Sequence, residues 1–144
     1  MIKLLDLKPI QDRLVVMVGP YVNYVGRAAN YPSALLRESD LPASIWLYPL
    51  TTEIEHERKI GGPCQIVERF AILTLHRDIN AAPDAGAALQ ESVRAIRVKA
   101  LELMAEGDPD GWFGTHYTGG AQMAGGDRLY AWQDQFQTRV VSCQ

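Results

Sequence analysis

RLYAWQDQFQTRVV, residues 128–141, decides the fold. Tyr130, Trp132, Phe136 and Val140 fall on one parity, while Gln133, Gln135, Gln137 and Arg139 fall on the other. A period of two in hydrophobicity marks a half-buried β-strand. Aromatic and β-branched residues suit the packed side of a pleated sheet, and amides suit a wet surface that must both donate and accept. Asp134 and Thr138 interrupt the apolar row. The stretch therefore predicts a sheet with one face on a core and the other open to a partner. Trp132 and Phe136 are expected to anchor that core, and Gln133, Gln135 and Gln137 to tolerate substitution without loss of folding.

Working outward, 144 residues suit one domain spanning 1–144, which buries roughly two-thirds of its unfolded surface. Charged residues make up 22% and the net charge is -3, which argues against a binder that works by neutralising nucleic-acid phosphates. The two cysteines, Cys64 and Cys143, form no CxxC pair and no zinc-site spacing with a histidine. Reduced thiols are expected, with a single disulfide as the alternative. Met1 to Leu7 holds one lysine and no long apolar run, so no signal peptide is expected. No stretch approaches the roughly 20 apolar residues of a membrane span. The expectation is a soluble intracellular protein with no membrane partner.

Leu7, Ile10, Leu14, Met17 and Val18 recur at helical spacing, with Asp6 as N-cap, Pro9 in the first turn and Gly19-Pro20 as the stop. A short extended piece follows Tyr21, and a helical turn is expected near Ser33 to Arg37. Ser44 to Leu50 reads as a strand apolar on both faces, hence covered twice. Pro49 cannot donate to a ladder, so an edge or bulge is expected there. Glu53, Glu55, His56, Glu57, Arg58 and Lys59 then precede Gly61-Gly62-Pro63, and Gln65 to Arg77 reads as a long strand. Together they predict an antiparallel hairpin with a charged, projecting arm. That arm is either a solvated tip or a contact for a neighbouring subunit.

Asp84 to Glu106 is the most regular helix, with a stripe of Leu89, Val93, Ile96, Ala100, Leu103 and Met104. Residues 107–126 read as a long glycine-rich connection, with Trp112 plugging the end of the core. The elements make no alternating βαβ repeat. The predicted class is α+β: a mainly antiparallel, mixed sheet flanked by two α-helices, with a projecting β-hairpin.

Catalytic patterns are absent. The glycines match neither a dinucleotide fingerprint nor a phosphate loop. His56, His76 and His116 are isolated, and Asp108 and Asp110 lack calcium-loop spacing. Cys64 has no local nucleophile signature. No catalytic residue, metal or cofactor is expected.

Several pieces in order resemble the tail terminator (tail completion) proteins of long-tailed bacteriophages, of the Mu-like and lambda-like kinds. They are Val25-Gly26-Arg27-Ala28-Ala29, Leu41-Pro42-Ala43, the strand ending at Arg77, Gly111-Trp112, Tyr117, Gly119-Gly120, and Tyr130 to Phe136. The resemblance implies an α+β fold assembled as a hexameric ring in the virion, at the tail-neck junction. Such a ring is put together in the host cytoplasm. It caps the tail tube, stops its polymerisation and offers a surface to the head-tail connector, while DNA passes through without sequence recognition. The family has no catalytic residues. Physical reasoning alone places the subunit and tube contacts, on Glu53, Glu55, His56, Glu57, Arg58, Lys59, Gln133, Gln135, Gln137 and Arg139. Another ring-forming neck protein, a head-closure or connector component, is the alternative, and a small enzyme using Cys64 or a histidine is a third.

Overall fold

The strand foreseen in residues 128–141 is β5, Leu129–Ser142, and it lies inside the sheet rather than at its edge. In the computed structural model, which describes residues 5–37, 42–56, 64–77, 85–123 and 129–142, β5 is flanked by two antiparallel partners. One is β3, Cys64–Arg77, and the other is β4, Trp112–Met123. β2, Ala43–His56, pairs antiparallel with β3, and the short β1, Tyr24–Arg27, pairs parallel with β2. The five-stranded order is β1-β2-β3-β5-β4. With α1 (Lys8–Val18), α2 (Tyr31–Arg37) and α3 (Ala85–Met104), the chain is α+β around a mixed sheet.

α1 forms where the apolar spacing places it. Ile10, Leu14 and Val18 are fully buried, and Asp6 Oδ1 accepts from the Lys8 backbone N–H at 3.0 Å. α3 buries Val93, Ile96, Ala100 and Leu103 beside it. Together the two helices cover one sheet face, closing over Ile45, Leu47, Phe70, Ile72, Phe136 and Val140. The opposite face has its own core of Trp46, Tyr48, Ala71, Leu73, Leu75 and Ala131, packed under Ala34 of α2. The expectation of one face on a core and the other open is corrected: α1 and α3 cover one face, and α2, a third helix, covers part of the other. Double coverage explains why β2 is apolar on both parities. At Pro49 the expected irregularity is present: β1 ends opposite Leu47, and the β2–β3 register slips between Pro49 and Thr51.

The glycine-rich connection is corrected. Residues 112–123 form strand β4 along the sheet edge, and its register with β5 breaks between Phe113 and His116 and between Tyr117 and Gly119. Gly119 takes φ +131°, a conformation closed to most side chains, so this glycine marks a bulge rather than a loop. Trp112 does plug the core, 9% exposed and edge-on to Phe70 at 5.5 Å.

Phe136 is 2% exposed, stacked on Phe70 with ring centres 5.4 Å apart. Phe136→Ala should therefore cost about 3–5 kcal/mol in urea unfolding, whereas Gln135→Ala, on the partly open face, should stay within about 0.5 kcal/mol. Equal losses would mean that the two faces of β5 are wrongly assigned.

Candidate assembly interface

β5 alternates as the sequence predicts, yet its two rows are not simply in and out. Gln133 is 7% exposed, and its Oε1 accepts a hydrogen bond from the Tyr48 hydroxyl. Burial pushes the Tyr48 phenol well above its ordinary value, and neighbouring Tyr31 adds to the shift, so the hydroxyl remains a donor. Gln133 is thus a satisfied side chain beneath the α2 half of the sheet, not an open contact. Gln135, Gln137 and Arg139 lie further along the same row and are partly exposed.

Register gathers these three with residues of the hairpin. Gln137 sits opposite Arg69 of β3 on one side and His116 of β4 on the other, and Arg69 sits opposite Thr51 of β2. A polar strip thus crosses four strands beyond the reach of α2. Arg69 bridges it, with its guanidinium 3.0 Å from Glu53 Oε1 and donating to Thr51 Oγ1 at 3.3 Å. Glu55 and His56 belong to the end of β2, but their side chains lie outside the described residues, as do Glu57, Arg58 and Lys59 entirely.

On the helix-covered face the structure holds what the sequence reading missed. Asp134 is 2% exposed and takes a bidentate pair from Arg97 of α3, with Nε to Oδ2 at 2.8 Å and a terminal nitrogen to Oδ1 at 2.7 Å. The Tyr117 hydroxyl donates to the same Oδ1 at 2.8 Å. The hydrogen bond from Arg97 to Asp134 raises the Arg97 pKa, keeping the guanidinium charged. Trp132 lies under that guanidinium, 4.2 Å from the ring centre, and is partly exposed. The expected anchor role of Trp132 is therefore corrected: it stacks beneath an ion pair, and Phe136 carries the packing. A side chain at Gly120 would put its Cβ 2.6 Å from both Asp134 Oδ1 and the Tyr117 oxygen, so only glycine leaves room for the cluster. The signal was present in the sequence, since an acid inside an apolar row requires a cation from elsewhere. Thr138, the other interruption, is fully buried and shares a 2.7 Å hydrogen bond with the Thr115 hydroxyl.

A second carboxylate is buried on this face, with no cation paired to it among the described residues. Glu68 is 3% exposed, and Thr52 Oγ1 lies 3.0 and 2.9 Å from its two oxygens. It floors a cleft of about 730 Å³ whose rim includes Asp6, Tyr24 and Arg27. Burial raises the Glu68 pKa above its ordinary 4.5, against the opposing hydrogen bond from Thr52. Among the described residues, no group of three or more His, Cys, Asp or Glu is placed to hold a metal ion.

The described residues thus form a mixed α+β sheet packed by helices, with a polar strip exposed across its strands. Comparison gives this fold its family. The sequence matches the phage tail terminator protein family over residues 1–143, and the chain belongs to that family of structural phage tail proteins. It is accordingly a virion component. Among solved structures, the chain is similar to one titled "Virion of native gene transfer agent (GTA) particle". The TM-score is 0.56, the identity 14%, and 92% of each chain is covered, a likeness of fold alone. No curated protein matches the sequence.

Removing Arg97 would strand a buried carboxylate. Arg97→Ala should cost about 3–5 kcal/mol in denaturant unfolding, far beyond a typical surface change. A loss under about 1 kcal/mol would mean that Asp134 is solvated without its partner.

The Glu68 shift fixes a pH dependence. A carboxyl whose folded pKa is raised contributes stability that is present below 4.5 and lost as pH rises through the folded value. Glu68→Gln removes that titration. The variant should melt above the parent at pH 7, with the gap closing as pH falls toward 4.5. A gap independent of pH would show that Glu68 is not the group responsible.

Proposed function

We propose that this protein is a tail terminator in action as well as in family: six copies close into a ring on the end of the tail tube and stop its polymerisation. The ring then offers its other side to the head-tail connector. The whole chain works as one unit, as the family match over residues 1–143 supports. DNA passes through the ring without being read, in keeping with a net charge of -3.

The observation that carries the proposal is the polar strip across β2, β3, β5 and β4, left uncovered by α2. A ring of identical subunits needs two different surfaces on each copy, joined head to tail with a rotation that closes. Gln135, Gln137 and Arg139 supply donors and acceptors on the strip, Glu53 adds charge to it through Arg69, and the sequence from Glu55 to Lys59 adds further charge to the same segment. Contacts of this polar kind are weak one at a time and gain strength by repetition around an axis. An isolated monomer that closes into a ring only on the tube is consistent with such a surface.

Electron microscopy of tails assembled with and without the protein tests the proposal. Tails lacking it should run to uncontrolled length, and tails carrying it should end in a ring. Regular tails in its absence would overturn the terminator role, and a head-joining defect alone would favour a connector. Charge reversal at Arg58 and Lys59 should leave melting unchanged but impair capping, more at low salt than at high, because salt screens exposed charges. Full capping by the reversed variant at low ionic strength would make the arm a bystander.

A further inference from the structure

The cleft floored by Glu68 has a composition that the fold itself does not explain. α1 and its N-terminal lead supply Leu5, Asp6 and Gln11, the β1–α2 connection supplies Ala29, and the hairpin base supplies Thr52 and Glu68. A carboxylate 3% exposed is costly to hold, and buried charges are ordinarily paired. Thr52 is its hydrogen-bond partner, and no basic side chain among the described residues stands within ion-pair distance of it. Arg27, the cation at the rim, points its charge at Asp6, 3.7 Å away. Asp6 and Glu68 together outnumber Arg27, so the cleft carries net negative charge around a roomy opening. A neutral side chain would fill this position at lower cost, and the retained carboxylate lines the cleft.

We propose that this cleft receives a cationic side chain, Arg58 or Lys59, from the hairpin arm of a second copy of the chain. The inference rests on the ring reading and adds the receiving site for the arm. Arg58 and Lys59 stand side by side in the segment joining β2 to β3. The chain's own arm leaves from the cleft's edge, since Thr52 and Glu68 belong to the hairpin base and β2 and β3 run on from there to His56 and Cys64. The described strands thus run on past Thr52 and Glu68 as far as His56 and Cys64, a direction that favours reception by the cleft of a neighbouring copy. A cationic donor segment and an acidic acceptor cleft on one chain are two unlike patches of the kind that head-to-tail closure uses. An incoming guanidinium or ammonium would form charge-assisted hydrogen bonds with an acceptor already desolvated and held by Thr52.

Photo-cross-linking tests this directly. p-Benzoyl-phenylalanine is placed at position 59 of the full chain, the protein is loaded on tail tubes of the same genome, and linked peptides are read by mass spectrometry. Expected are links to residues 5–11, 24–29 or 47–52 of a second copy, shown as inter-copy by mixing heavy and light protein. Links to tube protein, or to another face of the second copy, overturn the inference. Micrographs of the same samples separate the two levels: rings without cleft links overturn this inference alone, whereas tubes without rings overturn the ring reading and this inference with it. Glu68→Gln provides the second arm. It should raise the concentration needed to cap tubes by about tenfold, the order expected for one lost hydrogen bond to a charged group. Because the same variant should melt above the parent at pH 7, such a loss cannot be assigned to unfolding. Unchanged capping by Glu68→Gln would also overturn the proposal.

Discussion

The Arg97–Asp134 pair constrains more of this fold than any other single contact. Asp134 sits in the middle of β5, inside a row otherwise given to Phe136 and Val140, and cannot remain ionised there without a partner. Arg97 supplies both nitrogens of a bidentate pair, which fixes the axial position and rotation of α3 over the sheet. Tyr117 hydrogen-bonds the same carboxylate, so β4 is drawn into the arrangement. One acidic side chain thereby ties a helix, a central strand and an edge strand together. Replacing the whole cluster by apolar groups could match its stability. What the ionic version adds is a two-point tie between α3 and the sheet, because Arg97 engages both oxygens of Asp134.

The sequence shows most of the architecture and misleads on its coverage. Alternation in β5, the stripes of α1 and α3 and the broken ladder at Pro49 are all visible in one dimension, because each depends on local geometry. Trp132 and Gln133 exchange their expected parts for a non-local reason. α3 brings a guanidinium to Trp132 from one side, and β2 brings a phenol to Gln133 from the other. Parity says which residues share a face but not how far each face is covered. The glycines of β4 mislead differently: they resemble a linker by composition, whereas pairing to β5 along an edge accommodates them as bulges.

The candidate surface was legible in the same partial way. Gln135, Gln137 and Arg139 lie together because a strand keeps every second residue on one face. Their neighbours Arg69, Thr51 and His116 come from three other strands, and only the register places them alongside. Glu68 illustrates the limit: within Gln65 to Arg77 it looks like an ordinary polar position of a long strand. Its burial follows from the helix-side packing around the cleft, which no local pattern encodes.

The proposed terminator role requires a subunit that does not itself start a polymer. Open sheet edges are templates for further strands, and strand addition between identical copies has no built-in end. Here one edge strand, β1, is only four residues long, and the other, β4, is broken by two register shifts. Both features weaken edge-to-edge pairing, since a bulge removes the regular row of donors and acceptors that a new strand would match. In the proposed ring, contacts between copies then fall to side chains on a sheet face, to a cleft and to an arm. Contacts between unlike patches of identical copies close into a ring when their rotation closes and otherwise propagate as a filament, so the proposed ring requires a rotation that closes. A blunted edge beside a polar face therefore agrees with the proposed role of ending an assembly.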